Sequence, residues 1–238
     1  MSEVLTTPGE AAPILPVGDV SEPQEAGYRL SRRIAVLSDP ESPVTKSIRA
    51  LHTHLLAGHI RDGRRGLAVC SPTIGAGCTT VATNLAVVCA QAGINTLLVD
   101  ANMHDPGVSK MIVPDSAPTG LRQMIMADPD VRTDLVRRHV MPNLSILYSG
   151  GAGPGASELL ASRRYKDVID DCIRDFDFTI VDTPALGGSS DARRVAASVR
   201  YGLVVARRDV SYLSDIRAFV DELTADRIRL IGSFLTDF

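Results

Sequence analysis

Residues 72–79 read PTIGAGCT, between an apolar run and a stretch of helical character. The spacing is that of a phosphate-binding loop, GxxxxGK[ST]. In such a loop, backbone N–H groups cradle phosphates, a lysine reaches the β- and γ-phosphates, and a Ser/Thr hydroxyl holds Mg²⁺. Gly77 takes the second glycine position, Thr79 the hydroxyl position, Pro72 the first glycine position and Cys78 the lysine position. Gly75 and Gly77 permit close approach of backbone to an anion. The helix starting near Thr79 aims its dipole at the same spot. Gly75, Ala76, Gly77, Cys78, Thr79 and Thr80 are therefore the candidate nucleotide-binding residues. The charged half of the cradle is missing. A charge-assisted contact of this kind is worth about 1.5–3 kcal/mol, or roughly one to two decades in affinity. A neutral thiol supplies none of it. On these residues alone, an ordinary Gly-rich turn stays open as the alternative.

Two further carboxylates stand where strands should end, Asp100 in NTLLVDA and Asp182 in FTIVDTP. Thr79 is the candidate Mg²⁺ ligand of the loop motif, because hard cations take oxygen donors. Cys78 at a helix N-terminus is expected to have a lowered pKa. His52 and His104, and the pairs Arg137–Arg138 and Arg193–Arg194, read as ordinary solvated surface.

These residues need a scaffold. The strand candidates are 66–71, 95–101, 143–150, 178–184, 201–209 and 229–235. Helix candidates lie at 79–92, 119–127, 157–175, 191–198 and 211–225. Before them, SDPESPVTKSIRALHTHLLAG reads as a helix with Ser42 at N-cap and Pro43 at N1. Its apolar stripe is Ile48, Leu51, Leu55 and Leu56. GGAGPGA at 150–156 reads as a flexible loop. The βα alternation predicts an α/β fold, a doubly wound, mostly parallel sheet flanked by helices. Ligands bind such sheets at the carboxyl ends of the strands. Residues 1–27 are rich in Pro, Glu, Ala, Thr and Ser and read as a disordered tail. Residues 28–238 read as one α/β domain.

The chain has 238 residues, a net charge of −3 and 45% apolar residues. That balance offers no global basic field for nucleic acid. Its three lysines are Lys46, Lys110 and Lys166. The four cysteines contain no CxxC pair, which points to reduced thiols rather than a disulfide frame or metal site. There is no basic-then-apolar leader. No apolar run reaches the roughly 18 residues a membrane span needs. The expectation is a cytoplasmic chain.

The loop, LLVDANMHDPGVSKMI (97–112) and FDFTIVDTPALGGSSDA (176–192), in that order, resemble the cytoplasmic domain of bacterial tyrosine kinases. These are the capsule-type autokinases of the deviant P-loop ATPase class, akin to partitioning and division ATPases. SDPESPVTKSIRALHTHL, TGLRQMI, PNLSILYSGG, SELLASRRYKDVI, GLVVARRDVSYLSDIRAFVDEL and IRLIGSFLTD extend the likeness from about residue 33 to 238. The resemblance implies a P-loop NTPase fold, ATP or ADP with Mg²⁺, Asp182 of IVDTP as a Mg²⁺ ligand beside Thr79, and a site at the cytoplasmic face of the inner membrane. It also implies a membrane polysaccharide co-polymerase or chain-length determinant as partner, in exopolysaccharide, capsule or holdfast-type export.

The sequence departs from that pattern at several places. The family's DxDxR reads Asp100, Asn102 and His104, so the second carboxylate is an amide. Asn cannot serve as a general base. The earlier signature lysine of partitioning ATPases falls at Thr73. The adenine-side asparagine falls at Thr236, whereas Asp191 matches a family position. The ring-forming ExxRxxR reads Lys46, Arg49 and His52, which speaks against the family ring, though other self-association stays open. The five tyrosines are scattered rather than clustered. Lys110, Arg207 and Arg208 are the cations that could compensate. The expectation is a scaffold with weak nucleotide binding or none. Alternatives are an active kinase or ATPase and a partitioning-type switch.

Overall fold

Six short apolar runs separated by helices can hide their backbone polar groups only by pairing side by side. In the computed structural model, which describes residues 27–128, 134–185 and 190–237, they do so in one sheet. Most of the expected tail lies outside these residues. The elements in chain order are β1 (Tyr28–Leu30), α1 (Ala35–Ser38), α2 (Pro43–Leu55), β2 (Gly66–Cys70), α3 (Cys78–Gln91), β3 (Thr96–Asp100), α4 (Val108–Met111) and β4 (Ile112–Pro114). Then come α5 (Leu121–Met126), β5 (Arg137–Met141), β6 (Leu144–Leu147), α6 (Ala156–Ala161), α7 (Arg163–Asp175), β7 (Phe178–Asp182), α8 (Asp191–Val199), β8 (Tyr201–Arg207), α9 (Leu213–Ala225) and β9 (Arg229–Thr236).

The main sheet runs β5-β6-β3-β7-β2-β8-β9, parallel throughout except for β5, which pairs antiparallel with β6. The pleat sends alternate side chains to opposite faces. Leu67 and Val69 of β2 pack with Ile48, Val81 and Leu85 of α2 and α3. Ala68 and Cys70 of the same strand pack with Ile169, Val195 and Phe219 of α7, α8 and α9. Apolar layers on both faces explain why the strands read as continuous apolar runs.

The predicted cap of α2 is present: the Ser42 hydroxyl accepts the Thr45 N–H, with Pro43 at N1. Ile48 and Leu55 are buried, and Leu51 and Leu56 are half-buried. The helix expected at 157–175 is two helices. Ser162 is extended, ends α6 and caps α7 by accepting the Tyr165 N–H. A serine that can satisfy orphaned N–H groups competes with helix continuation. β1 and β4 are three residues each, too short for a periodic signal, and the edge strand β5 carries little apolar patterning, so no local signal marks them as strands. The glycine-rich 150–156 stretch is tied down on one side, where Arg122 donates to the carbonyls of Gly153 and Pro154.

Candidate nucleotide site

The loop between β2 and α3 forms as its glycines require. Gly75 and Gly77 have φ of 77° and 95°, a region that side-chain-bearing residues avoid. No side chain caps the start of α3, so its first-turn N–H groups face the loop's concavity. The loop is braced by the last two strands. The Thr236 hydroxyl donates to the Ala76 carbonyl at 2.8 Å, and the Arg207 guanidinium donates to the Gly75 carbonyl at 3.2 Å. Thr236, expected near adenine, is buried and serves the loop's backbone.

β3, β7 and β2 are neighbours, so Asp100, Asp182 and Thr79 converge at their carboxyl ends. The Thr79 hydroxyl donates to Asp182 Oδ2 at 2.6 Å. Asp182 Oδ1 is buried and has no hydrogen-bond partner among the described residues. A buried, unpartnered carboxylate oxygen beside a hydroxyl is what a hard cation would complete. Thr79 and Asp182 therefore fit Mg²⁺.

Asp100 is committed elsewhere. Its Oδ1 accepts the Asn102 N–H, and its Oδ2 accepts the N–H groups of Gly107 and Val108, at 3.0–3.1 Å. Asn102 uses its side-chain oxygen to accept the Asp105 N–H. The residues at these two degenerate motif positions fold the 102–107 loop. That loop lies against the metal position: a Cβ on Gly107 would sit 2.6 Å from the Thr79 hydroxyl oxygen. Lys110 pairs with Asp105 at 2.6 Å.

Burial pushes the Asp100 carboxyl up to about 7, against the pull of its three N–H donors. Burial, then the charge of Asp100, raises Asp182 well above the carboxylate range, with the Thr79 hydroxyl opposing. The half-buried Cys78 is also raised, by burial and by its neighbours Asp182 and Cys70. This corrects the lowered thiol expected from its helix position: burial and the nearby carboxylate outweigh the dipole.

The raised carboxyls have a consequence for stability. Between about pH 4 and 7 the folded state holds protons that the unfolded chain has released, so stability falls as pH rises. In EDTA, melting temperature should decline across that window. Asp182→Asn, which removes one member of the pair, should flatten the decline.

A cavity of about 950 Å³ opens over the loop. This is at the upper end of the usual range for small-molecule sites. Residues 73–80 line it, with Asn102, His104 and Gly107 on one side and Thr183–Ala185 nearby. Arg32, Arg33, Lys110 and Arg207 bring positive charge to its lining. The two arginines after β1 carried no motif signal, and only the fold brings them here.

His104 is not a free surface residue. It lies 2.8 Å from Asp191 Oδ2, which also accepts the Ser157 hydroxyl at 2.6 Å, while Arg194 donates to Oδ1 at 2.9 Å. Arg193 is paired with Asp226 and Glu222, and Arg138 with Asp134. Arg137, Arg138 and Arg194 are exposed, as expected of a solvated face, and Arg193 is half-buried. His52 is half-buried.

No protein-family profile matches the chain. EpsB of Ralstonia nicotianae, which carries a provisional tyrosine-protein kinase name, is 30% identical over 205 residues, 86% of this chain and 26% of that protein. The chain thus spans about a quarter of EpsB, but 85% of the shorter CapB of Staphylococcus aureus, at 24% identity over 82% of this chain. Tyrosine-protein kinase YwqD of Bacillus subtilis is 28% identical over 70% of each chain. Among solved structures, the kinase domain of Escherichia coli tyrosine kinase ETK superposes with a TM-score of 0.78 at 24% identity, covering 86% of this chain and 79% of that one. The chimerical protein CapA2B2 gives 0.77 at 24% identity, covering 87% and 90%. MinD of Pyrococcus horikoshii, solved with Mg-ADP, gives 0.60 at 24%, covering 72% and 69%. This chain is a homologue of the bacterial tyrosine kinases, built on the P-loop ATPase fold that they share with MinD.

Proposed function

We propose that this protein is a degenerate tyrosine-autokinase homologue that holds a nucleotide weakly and acts as a scaffold. Its partner would be a membrane polysaccharide co-polymerase of exopolysaccharide, capsule or holdfast-type export, met at the cytoplasmic face of the inner membrane. No helix among the described residues is long and apolar enough to cross a membrane, so that attachment would come through the partner. One observation carries the reading: no cation stands at position 78, while Asp100 is saturated by backbone N–H groups and Asn102 replaces the second carboxylate. Charge developing on a transferred phosphoryl group would lack its nearest positive partner and its base. Thr79 and Asp182 would hold Mg²⁺, whose charge would offset that of the phosphates when bound. The loop's N–H groups would orient the phosphates.

A second reading, a retained ATPase, is favoured by the intact Thr79–Asp182 pair and its unpartnered oxygen. Phosphate release from Mg·ATP separates the two. The scaffold reading expects release no faster than that of Asp182→Ala, and co-purification with the membrane partner in mild detergent. Turnover that Asp182→Ala abolishes would sink it.

A further inference from the structure

Of the cations lining the cavity, Arg207 is held on the phosphate loop itself. Its guanidinium donates to the Gly75 carbonyl at 3.2 Å, and Gly75 is in the middle of the loop. Its position is set by backbone. Arg207 ends β8, its N–H donates to the Ser211 hydroxyl, and it pairs with Thr236 of β9. Thr236 in turn bonds the carbonyl of Ala76, the next residue of the loop. The arginine and the loop are thus fixed to one pair of strands. Lys110 is engaged by Asp105 in a 2.6 Å ion pair. Arg33 stands on the segment after β1, just before the Ala35–Ser38 turn, and no strand of the main sheet fixes it.

We propose that Arg207 is the cation that meets the phosphates of a nucleoside di- or triphosphate here, supplied from the end of β8 in place of the lysine that position 78 lacks. The inference rests on the reading that this loop holds a nucleotide. A carbonyl is a neutral acceptor, and a phosphate oxygen is a charged one. The guanidinium's charge assists either bond, but only a phosphate adds an opposite charge and can take the fork bidentately, so an arriving phosphate outcompetes Gly75 for the guanidinium. The planar fork of an arginine also suits phosphate geometry.

The test is calorimetric titration of Mg·ADP into the full chain and into Arg207→Gln, Arg207→Lys, Cys78→Lys and the double variant Cys78→Lys/Arg207→Gln. Glutamine keeps an N–H donor and removes the charge, with a shorter reach. Arg207→Gln should weaken binding about 10-fold or more, the loss of one charged contact. Arg207→Lys should recover part of it, which separates a lost charge from a disturbed strand end. In the Cys78→Lys background, Arg207→Gln should cost less than about threefold, because the two cations serve the same phosphates. Arg207→Gln within twofold of the parent overturns the proposal, as does an equal cost in both backgrounds. A silent parent alongside a binding Cys78→Lys also overturns it but leaves the nucleotide loop standing. Silence in both removes the loop reading itself, and this inference with it.

Discussion

Cys78→Lys is expected to tighten Mg·ADP and Mg·ATP binding by about 10- to 100-fold. That range is the roughly 1.5–3 kcal/mol of a charged contact to phosphate, converted at about 1.4 kcal/mol per decade. The geometry supports a gain, smaller with Arg207 present than in the Arg207→Gln background. Position 78 lines the cavity at the first residue of α3, and the glycine geometry, the uncapped helix start and the strand braces are already in place. A second effect should accompany the first. An ammonium at position 78 would stand near Asp182, which burial and the charge of Asp100 hold above its usual range, and an opposite charge favours ionisation. The EDTA melting profile of Cys78→Lys should then lose its decline between about pH 4 and 7. Calorimetry and melting together separate the outcomes. Tight binding with a flat profile means a cradle lacking only its cation. No binding with a flat profile means the introduced ammonium reaches the carboxyls but the loop cannot hold phosphate.

Asp191→Ala should give the largest loss of stability among the polar positions, about 2–4 kcal/mol, or roughly 5–12 °C in melting temperature. The Asp191 side chain is 1% exposed and joins three elements. His104 comes from the loop after β3, Ser157 from α6 and Arg194 from α8. Hydrogen bonds to a charged group contribute about 1.5–3 kcal/mol each. The simple sum overshoots, because His104 and Arg194 are 47% and 43% exposed and regain water when the carboxylate goes. An acid in the first turn of α8 also suits the helix dipole. Burial pushes this carboxyl up, but its bonds from Ser157, His104 and Arg194 outweigh burial and hold it below the usual range. Its stabilising contribution is therefore present above about pH 4, the unfolded value, and lost as pH falls through the folded value. Urea melts at pH 7 and pH 3 check this. The gap between parent and Asp191→Ala should be wide at pH 7 and narrow at pH 3. A gap independent of pH would mean the residue acts by packing alone.

The sheet was legible because its strands are buried on both faces and read as apolar runs between helical stretches. β5 was not legible, because at an antiparallel edge Arg137, Arg138 and His139 face solvent. The break at Ser162 was not legible either, since a serine inside a periodic stretch gives no local sign of whether it caps or continues. The P-loop was legible from Gly75, Gly77 and Thr79, because positive φ and a metal-binding hydroxyl restrict residue type at fixed spacing. So was the presence of Cys78 where that loop carries its lysine.

The sequence by itself determined which groups stand at the ends of three strands and which charge is missing there. Tertiary structure alone decided what those groups do. Asp100 is spent on backbone because its strand end is covered by its own following loop. Cys78 is raised rather than lowered because the fold buries it and strand order places Asp182 beside it. Arg207 reaches Gly75 across 132 residues, and His104 reaches Asp191 across 87. No local pattern encodes such distances, because only the crossing order of parallel strands brings those segments to one edge.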